Sequence, residues 1–308
     1  MSSPRALACP ASLKGVLSAR EAAASLAEGL RTWAQVDVLP VADGGEGTLD
    51  VLHAALGGEW REAEVHDAFG RPRAAQWLWR DGDAFVEAAE AIPLDPNRLA
   101  PLEASSRGLG ELIEAAGSPA KLFVAIGGTA TVDGGSGMRS VLRALPAPTV
   151  VLCDVDVPLV DAARVFASQK GATPDDVRLL EARLLALDEL RPFADVPGAG
   201  AAGGLGAAFA ALGARLEPGA AAVLTLIGFD PRRYDLVVTG EGTVDATTFR
   251  GKAPGEVVRR CRADNRRCVL FGGRVEETPP DVEVVALSGD PTKARDDLVA
   301  LGRELRRR

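Results

Sequence analysis

The start of the chain repeats one order twice: an apolar strand, a loop and then a helix. Residues 6–9 are apolar and predict a first strand. Ser18, with Glu21 three residues later, forms a capping box that predicts the following helix. Residues 36–41 predict a second strand, which leads into a glycine-rich loop at Asp43 and a second helix. This order predicts a parallel sheet with ligand-binding loops at the carboxyl ends of its strands.

The pattern changes in the middle of the chain and returns near its end. Residues 60–88 alternate between polar and apolar side chains, which is typical of antiparallel hairpins. From about residue 234 the alternation of strands and helices resumes, with strands predicted at residues 236–239, 268–271 and 282–287. We therefore predict one discontinuous parallel α/β domain, formed by residues 1–58 and 230–308. A mixed α/β domain is inserted into it at residues 59–229.

Four glycine-rich segments, most of them with carboxylates, punctuate this order. Glycine lets the backbone turn where other residues clash, and lets N–H groups approach a ligand. A run of such N–H groups binds phosphate, while carboxylates suit Mg²⁺ or a substrate hydroxyl. The four segments together predict an enzyme that handles phosphate. They are residues 43–47, 127–135, 198–204 and 239–245.

Charge and composition exclude several classes of protein. The net charge of −8 argues against nucleic acid as a partner, because such a partner needs a basic face. The four cysteines form no CxxC pair and the only histidines are His53 and His66, so we expect no zinc site and no Cys–His nucleophile. Residues 1–13 lack the apolar core of a signal peptide. Residues 196–214 are uncharged but too rich in glycine and alanine for a membrane span. We expect a cytoplasmic protein.

Lysine is rare in this chain and its positions are informative. Only five of the 35 basic residues are lysines, and Lys14, Lys170 and Lys252 each adjoin a glycine. A compact ammonium on a flexible stem suits a phosphate oxygen, and arginine does not replace it freely. For any one of these lysines, chance placement is an equally good explanation.

Two nucleotide-binding motifs are excluded or weak. Gly251-Lys252 is followed by Ala253 rather than Ser or Thr, so the chain has no Walker A motif. Residues 198–203 match GxGxxG, but residues 192–197 are a poor strand and a dinucleotide site needs one there. A phosphate-binding loop at a helix N-terminus and tight packing of small residues both stay open.

Several carboxylates are candidates for chemistry. Asp43 and Asp133 each follow an apolar strand and could accept a substrate proton or hold a metal, although Asp before Gly is also a common turn residue. If their segment is extended, Asp154 and Asp156 project to one face, where they could share a metal or one could cap a turn. The same alternatives apply to Glu241 and Asp245.

Taken in order, these motifs resemble the type I glycerate kinases over nearly the whole chain. The resemblance implies a flavodoxin-like domain with an inserted domain similar to the restriction-endonuclease fold, and a site in the cleft between them. It also implies ATP-dependent phosphorylation of D-glycerate, usually to 2-phosphoglycerate. The matching segments are residues 12–19, 42–48, 127–131, 133–135, 153–156, 169–172, 198–206, 239–242 and 251–254.

On this resemblance we assign hypothetical roles to the residues. Asp43 or Asp133 is the base, Lys14 and Lys252 contact phosphates, and Mg²⁺ lies near Glu241 and Asp245, with Asp154 and Asp156 as further metal candidates. Arg71 and Arg107 are candidates for a clamp on the acceptor carboxylate. ATP and D-glycerate are the expected partners of a monomer or homodimer. The remaining ligand-binding candidates are Gly44, Gly45, Gly127, Gly128, Thr129, Lys170, Gly198, Gly200, Gly203 and Gly204.

The chain also departs from the family pattern. Apolar or smaller residues replace polar ones, and residues 142–150 form a shorter stretch than usual. A lost hydrogen bond in a buried site costs ~1–3 kcal/mol. A kinase for another small hydroxy acid, or a non-catalytic nucleotide or sugar-acid binder, therefore remain alternatives. The departures are Val132 and Val157 where the family usually has Asn, Thr243 where it has Arg, Ala246 and Thr247 where it has Gly-Gln, Leu109 where it has Thr, and Ala11 where many members have Asp.

Overall fold

A computed structural model describes residues 3–306, and within it the chain divides into two compact units. The first unit contains the chain up to Asp43, the segment Asp50–Leu56, and the chain from Ala220 onward. The second unit contains Gly44–Leu49 and Gly57–Gly219. The domain limits given above at residues 58 and 230 stay a prediction.

The secondary structure alternates between strands and helices along most of the chain. The strands are β1 (Arg5–Ala8), β2 (Gln35–Val38), β3 (Glu59–His66), β4 (Pro72–Arg80), β5 (Asp83–Glu87), β6 (Leu122–Ala125), β7 (Thr149–Cys153), β8 (Arg215–Pro218), β9 (Leu236–Val244), β10 (Cys268–Val275) and β11 (Glu283–Ala286). The helices are α1 (Ala19–Leu30), α2 (Thr48–Leu56), α3 (Ala88–Ala91), α4 (Arg107–Ala115), α5 (Ser136–Val141), α6 (Ala162–Phe166), α7 (Pro174–Leu185), α8 (Ala201–Ala211), α9 (Gly219–Leu226), α10 (Ala253–Ala263) and α11 (Ala294–Glu304).

The sheet of the first unit is entirely parallel. Its strands lie in the order β2-β1-β9-β10-β11. Numbered within the unit this is the order of a flavodoxin-like sheet, in which ligands bind at the carboxyl ends of the strands. The parallel flavodoxin-like domain expected from the sequence is therefore confirmed.

Helix α1 shows how the sequence sets this unit locally. The Ser18 hydroxyl accepts from the Glu21 N–H, and the Glu21 carboxylate accepts from the Ser18 N–H, so the expected capping box is present. A Cβ at Gly29 would lie 2.1 Å from the backbone oxygen of Val299, so glycine lets α1 and α11 pack closely. Leu26 and Leu30 are buried in the core beneath them.

The sheet of the second unit is mixed. Its order is β3-β4-β5-β6-β7-β8, with antiparallel pairing from β3 to β5 and parallel pairing from β5 to β8. The hairpins expected over residues 60–88 are β3, β4 and β5. The parallel half carries the core on which the glycine-rich loops rest, and α8 is fully buried up to Ala210 within it. No helix in residues 3–306 is long and apolar enough to cross a membrane.

Strand β9 is longer than the sequence indicates. The sequence places its end at Thr239 and a loop over residues 239–245, whereas the strand continues to Val244. The loop interpretation is wrong there because β10 pairs with β9 as far as Val275 opposite Val244. Glu241 is therefore held by a sheet rather than by a flexible turn.

Candidate active site

Two of the glycine-rich segments meet at Gly127 in the second unit. The Gly127 N–H donates to the backbone oxygen of Gly44 over 3.0 Å. A Cβ at Gly127 would lie 2.7 Å from the Gly45 Cα and 2.6 Å from the Asp154 carboxylate oxygen Oδ2. Only glycine fits at this position, so the segments 44–47 and 127–135 and the end of β7 are brought together.

A third glycine-rich segment, residues 198–204, joins the same assembly. The Gly134 N–H donates to the Gly203 oxygen over 3.0 Å. Gly203 has φ of +68°, and a Cβ there would lie 2.3 Å from the Thr131 oxygen. Ala202, Gly203 and Gly204 are all left-handed, so α8 has regular helical geometry only after them. Residues 188–193, shortly before this segment, form a 3₁₀ turn rather than a strand.

The glycines of segment 198–204 are explained by packing. A Cβ at Gly200 would lie 2.4 Å from the Pro158 oxygen, and one at Gly198 would lie 2.8 Å from Cys153 Sγ. These contacts support the packing alternative for this segment. Its role as a phosphate-binding loop stays a prediction.

Glu87 anchors the segment that contains Gly44 and Gly45. This buried carboxylate, at the end of β5, accepts from the N–H of Gly47 over 2.9 Å and from the N–H of Leu49 over 3.0 Å. Both donors lie where the loop passes into α2. A negative charge at the first turn of a helix satisfies its unpaired N–H groups. Asp43, half-buried at the beginning of the loop, therefore precedes a rigidly held turn.

Asp133 is committed to hydrogen bonds that shape the neighbouring loop. Its Oδ2 accepts from the N–H and hydroxyl of Ser106, both over 2.8 Å, and from the N–H of Gly137 over 3.0 Å. Its Oδ1 accepts from the N–H of Gly135 over 3.0 Å. The carboxylate thereby ties the start of α4 to the start of α5. This explains the residue structurally whether or not it also has a catalytic role.

Thr129, Thr131 and Lys170 form a buried polar group beside these loops. The Lys170 ammonium donates to the Thr131 backbone oxygen over 2.7 Å, and the residue is only 4% exposed. Burial lowers the pKa of Lys170 to about 8, opposed by the charges of Asp154 and Asp133. The hydroxyls of Thr129 and Thr131 are buried and have no hydrogen-bond partner among residues 3–306. Such hydroxyls mark a place suited to a polar ligand or to bound water.

The first unit holds a second polar group at the end of β9. The Lys252 ammonium lies 3.1 Å from Glu241 Oε2 and 3.6 Å from Asp245 Oδ1. The Thr248 hydroxyl donates to Glu241 Oε1 over 2.7 Å. Burial raises the pKa of Glu241, opposed by the Thr248 hydrogen bond and the charge of Lys252. Hydrogen bonds from Thr247 lower the pKa of Asp245. The structure thus brings Glu241, Asp245 and Lys252 together, and their roles toward Mg²⁺ and phosphate stay predictions.

Lys14 lies in a turn beside this group. Leu13 and Leu17 form an isolated bridge around it, and Lys14 is exposed. A Cβ at Gly242 would lie 3.6 Å from the Lys14 backbone nitrogen, so the turn runs alongside β9. Lys14 and Lys252 therefore belong to the same region of the first unit.

The metal candidates form pairs rather than larger clusters. Within the part of the chain that the structure describes, no three His, Cys, Asp or Glu side chains gather as a metal site would require. Asp154 follows β7 and faces Gly127, whereas Asp156 is exposed in the segment beyond it. Glu241 and Asp245 are the pair that already surrounds a cation, the Lys252 ammonium.

The two arginine candidates make their described hydrogen bonds outside the glycine-rich loops: Arg107 pairs with Glu111, and Arg71 lies in a turn. Arg107 donates from Nε to Glu111 Oε1 over 2.8 Å on the exposed side of α4. Arg71 is exposed, and its N–H donates to Asp67 in the turn between β3 and β4. Neither side chain has a hydrogen bond to the glycine-rich loops among the contacts described. Their role as a carboxylate clamp stays a prediction.

Comparison with known proteins identifies the family to which this chain belongs. The sequence matches the Glycerate kinase family over residues 6–146 and 143–289. The chain belongs to the glycerate kinase family. It is 35% identical to the Glycerate 2-kinase of Escherichia coli over 91% of this chain and 87% of that protein, and 35% identical to the Glycerate kinase of Bacillus subtilis over 86% and 84%. The crystal structure of putative glycerate kinase 2 from Salmonella typhimurium superposes with a TM-score of 0.82 at 29% identity, covering 99% of this chain and 97% of that one.

This member of the glycerate kinase family is therefore an enzyme of the kinase class, and its departures from the family pattern can now be placed. Leu109 and Val132 are buried in the hydrophobic core of the second unit. Val157 and Thr243 are half-buried, and Ala246 is exposed. The first two changes therefore act on packing in this chain rather than on an open binding surface.

No sequence motif marks three further residues that hold these groups in place: Glu87, Ser106 and Thr248. Ser106 stands directly before α4 and is recognisable as a helix-start residue, although its hydroxyl donates to Asp133 instead of capping that helix. Thr248 follows Asp245 at the spacing of a polar turn. Glu87 carried no local signal, because its partners lie 38 and 40 residues away.

Proposed function

We propose that this enzyme transfers the terminal phosphoryl group of ATP to D-glycerate, giving 2-phosphoglycerate. The observation that carries the proposal is that three glycine-rich segments contact one another, and that one of them carries the buried hydroxyls of Thr129 and Thr131, which have no hydrogen-bond partner among residues 3–306. Phosphoryl transfer depends on positioning and on charge neutralisation, and a rigid array of this kind supplies the positioning. The names of the Escherichia coli and Bacillus subtilis relatives support the choice of glycerate.

We propose Asp43 rather than Asp133 as the base that accepts the hydroxyl proton of the acceptor. Both carboxylate oxygens of Asp133 already accept hydrogen bonds, four in all, so that this side chain is committed to joining the starts of α4 and α5. Asp43 lies directly before the loop that Glu87 fixes.

We assign the phosphates to Lys14 and Lys252, and Mg²⁺ to Glu241 and Asp245. The donor set fits: two carboxylates, one of them buried, already surround a positive charge, and Mg²⁺ takes one or two carboxylates together with substrate phosphates. When bound, Mg²⁺ supplies charge neutralisation of the phosphate oxygens. Lys252 holds the two carboxylates together, and Thr248 orients Glu241 by its hydrogen bond.

We also propose a cytoplasmic location for the enzyme.

A kinase for another small hydroxy acid is the second candidate. Val157 and Thr243 favour it, because both are half-buried at positions where the resemblance leads one to expect Asn and Arg. Replacing a polar residue in the acceptor site changes substrate preference strongly. A substrate whose buried polar groups lose their hydrogen-bond partners is bound less well in the transition state than one that does not need those partners.

The test is ADP release by the purified enzyme with Mg-ATP and D-glycerate, with the product read by phosphorus NMR. A doublet from a secondary phosphate ester, matching authentic 2-phosphoglycerate, is the expected result. A 3-phosphoglycerate product would overturn the regiochemistry. Turnover with L-lactate, glycolate or tartronate but not with D-glycerate would favour the second candidate.

A further inference from the structure

Lys170 is a buried ammonium that contacts backbone rather than solvent. It ends the 3₁₀ turn Ser168–Lys170, and its Nζ lies 2.7 Å from the Thr131 oxygen. At 4% exposure the side chain is enclosed by protein. Burying an ammonium is costly, and burial lowers the pKa of this one to about 8. A lysine that binds phosphate at an open site would not need to be buried in this way.

The oxygen that Lys170 holds is the junction of two glycine-rich loops. Gly203 lies directly against it, since a Cβ at Gly203 would be 2.3 Å from that oxygen. In segment 127–135, three residues after Thr131, the Gly134 N–H donates to the Gly203 oxygen. The Thr131 peptide is thus fixed from one side by the ammonium and from the other by the left-handed turn of segment 198–204.

The same peptide carries a hydroxyl that faces no protein partner. Thr131 Oγ1 and Thr129 Oγ1 are both buried without a hydrogen bond among residues 3–306. Their positions depend on the backbone that Lys170 holds. Asp133, two residues beyond Thr131, and Asp154, at the end of β7, supply the negative charge that favours the ammonium.

Resting on the proposed function, we propose that Lys170 is a positioning residue for phosphoryl transfer. It locks the Thr131 carbonyl, and through it the segments 127–135 and 198–204, instead of binding phosphate itself. This replaces the role in phosphate binding that its place beside Gly171 suggests in the sequence. At 4% exposure, Nζ can meet a phosphate only if the protein that encloses it moves, whereas the Thr131 oxygen already lies 2.7 Å away.

The first test compares Lys170→Met with Lys121→Met, since Lys121 is an exposed lysine of the same unit. We expect Lys170→Met to lower kcat by about tenfold or more, because small displacements at a reacting centre are costly. The Kd for Mg-ATP should change less than about threefold, the range left when no phosphate contact is lost. Lys121→Met should match wild type. A rise in the Kd for Mg-ATP of tenfold or more, with kcat kept, would overturn the proposal.

The second test needs no substrate and therefore separates this proposal from the proposed function. Hydrogen–deuterium exchange of the free enzyme should be faster in segments 127–135 and 198–204 of Lys170→Met than in wild type or Lys121→Met. Unchanged exchange in both segments would overturn the positioning role even if the enzyme phosphorylates D-glycerate. Faster exchange with no D-glycerate turnover by wild type would support the role and overturn the proposed substrate.

A third measurement uses only wild type, in case Lys170→Met does not fold. The chain has five lysines, so ¹⁵Nζ-lysine labelling gives five signals that single Lys→Arg variants assign. We expect the Lys170 ammonium protons to exchange slowly with water and to stay slow when the Mg²⁺ complex of the β,γ-imido analogue of ATP is added. Fast exchange in the free enzyme that slows on addition of the analogue would overturn the proposal.

Discussion

The Lys252 ammonium bridges two carboxylates, lying 3.1 Å from Glu241 Oε2 and 3.6 Å from Asp245 Oδ1. Glu241 is carried by β9, whereas Lys252 stands directly before α10. A Cβ at Gly255 would lie 2.1 Å from the Thr248 oxygen, so the glycine lets the first turn of α10 pack on the segment that follows Asp245. Sheet, turn and helix therefore meet at one charged group.

Lys252→Met should abolish most of the activity. The substitution keeps an unbranched side chain only one atom shorter and removes the charge that faces Glu241 and Asp245. Loss of one preorganised charged donor in an active site costs ~10²–10³ in kcat. Steady-state kinetics with Mg-ATP and D-glycerate measure it, with Lys293→Met as the control because Lys293 is exposed. Full turnover by Lys252→Met would remove this residue from the site.

Thr248→Val should destabilise the first unit. The buried hydroxyl donates to Glu241 and accepts from the Asp245 N–H, and valine leaves both partners unsatisfied. An unsatisfied buried polar group costs ~1–3 kcal/mol. Urea unfolding measures the change in the free energy of unfolding. Thr247→Val is the matched control, because that residue is exposed and should lose less. Equal losses in the two variants would contradict the burial argument.

Asp133→Asn should weaken the junction of α4 and α5 and lower stability. Three N–H groups and the Ser106 hydroxyl donate to the two carboxylate oxygens of Asp133. Asparagine has one oxygen and one NH₂ group, and the NH₂ group cannot accept from the donors that it would face. We expect a loss of ~1–3 kcal/mol in the free energy of unfolding. Ser106→Ala removes one of those donors and should cost less. If Asp133→Asn folds with full stability but has no turnover, Asp133 rather than Asp43 is the base.

Gly203→Ala should be far more harmful than Gly213→Ala. Both glycines have positive φ, +68° and +88°, so alanine is strained at each by about 1–2 kcal/mol. A Cβ at Gly213 meets nothing within 4 Å, whereas one at Gly203 collides with the Thr131 oxygen. Thermal unfolding of the two variants isolates the collision. Equal midpoints would show that the close approach of the two loops does not matter for stability.

The buried Lys170 predicts a pH-dependent difference between wild type and Lys170→Met. Its folded pKa of about 8 lies below the ordinary value of 10.5. Between these two values the unfolded chain binds more protons than the folded one, so stability rises with pH. The penalty for burying the charge is fully present below pH 8 and is relieved as the pH rises toward 10.5. Wild type should therefore gain up to about 3 kcal/mol relative to Lys170→Met across that range. Cysteines and Tyr234 of the unfolded chain also titrate in this pH range, but they are present in both proteins and their contributions cancel in the difference. Urea unfolding of wild type and Lys170→Met at several pH values measures the difference in the free energy of unfolding. A difference that does not change with pH would contradict the prediction.

Some elements of the site followed from local sequence because their causes are local. The Ser18–Glu21 capping box, the hairpins of residues 60–88 and the first strand each depend on neighbouring residues, and each is present. The positions of the glycine-rich segments were also evident, since glycine is required wherever φ is positive or backbones touch.

The partners of those segments were not evident from sequence. Glu87 contacts amides 38 and 40 residues away, and Lys170 contacts an oxygen 39 residues away. Long-range contacts of this kind depend on the packing of strands and helices, which no local pattern encodes. For the same reason the end of β9 was misplaced: its last residues are a strand only because β10 pairs with them.

The sequence by itself determined the alternating strand and helix order, the glycine-rich segments, the rare lysines and the resemblance to glycerate kinases. Only the tertiary structure decided what each charged residue does. It paired Lys252 with Glu241 and Asp245, engaged Asp133 with four donors and enclosed Lys170 against the Thr131 oxygen. The physical reason is that burial and hydrogen-bond partners, which set the charge and the availability of a side chain, arise from residues far apart in the chain.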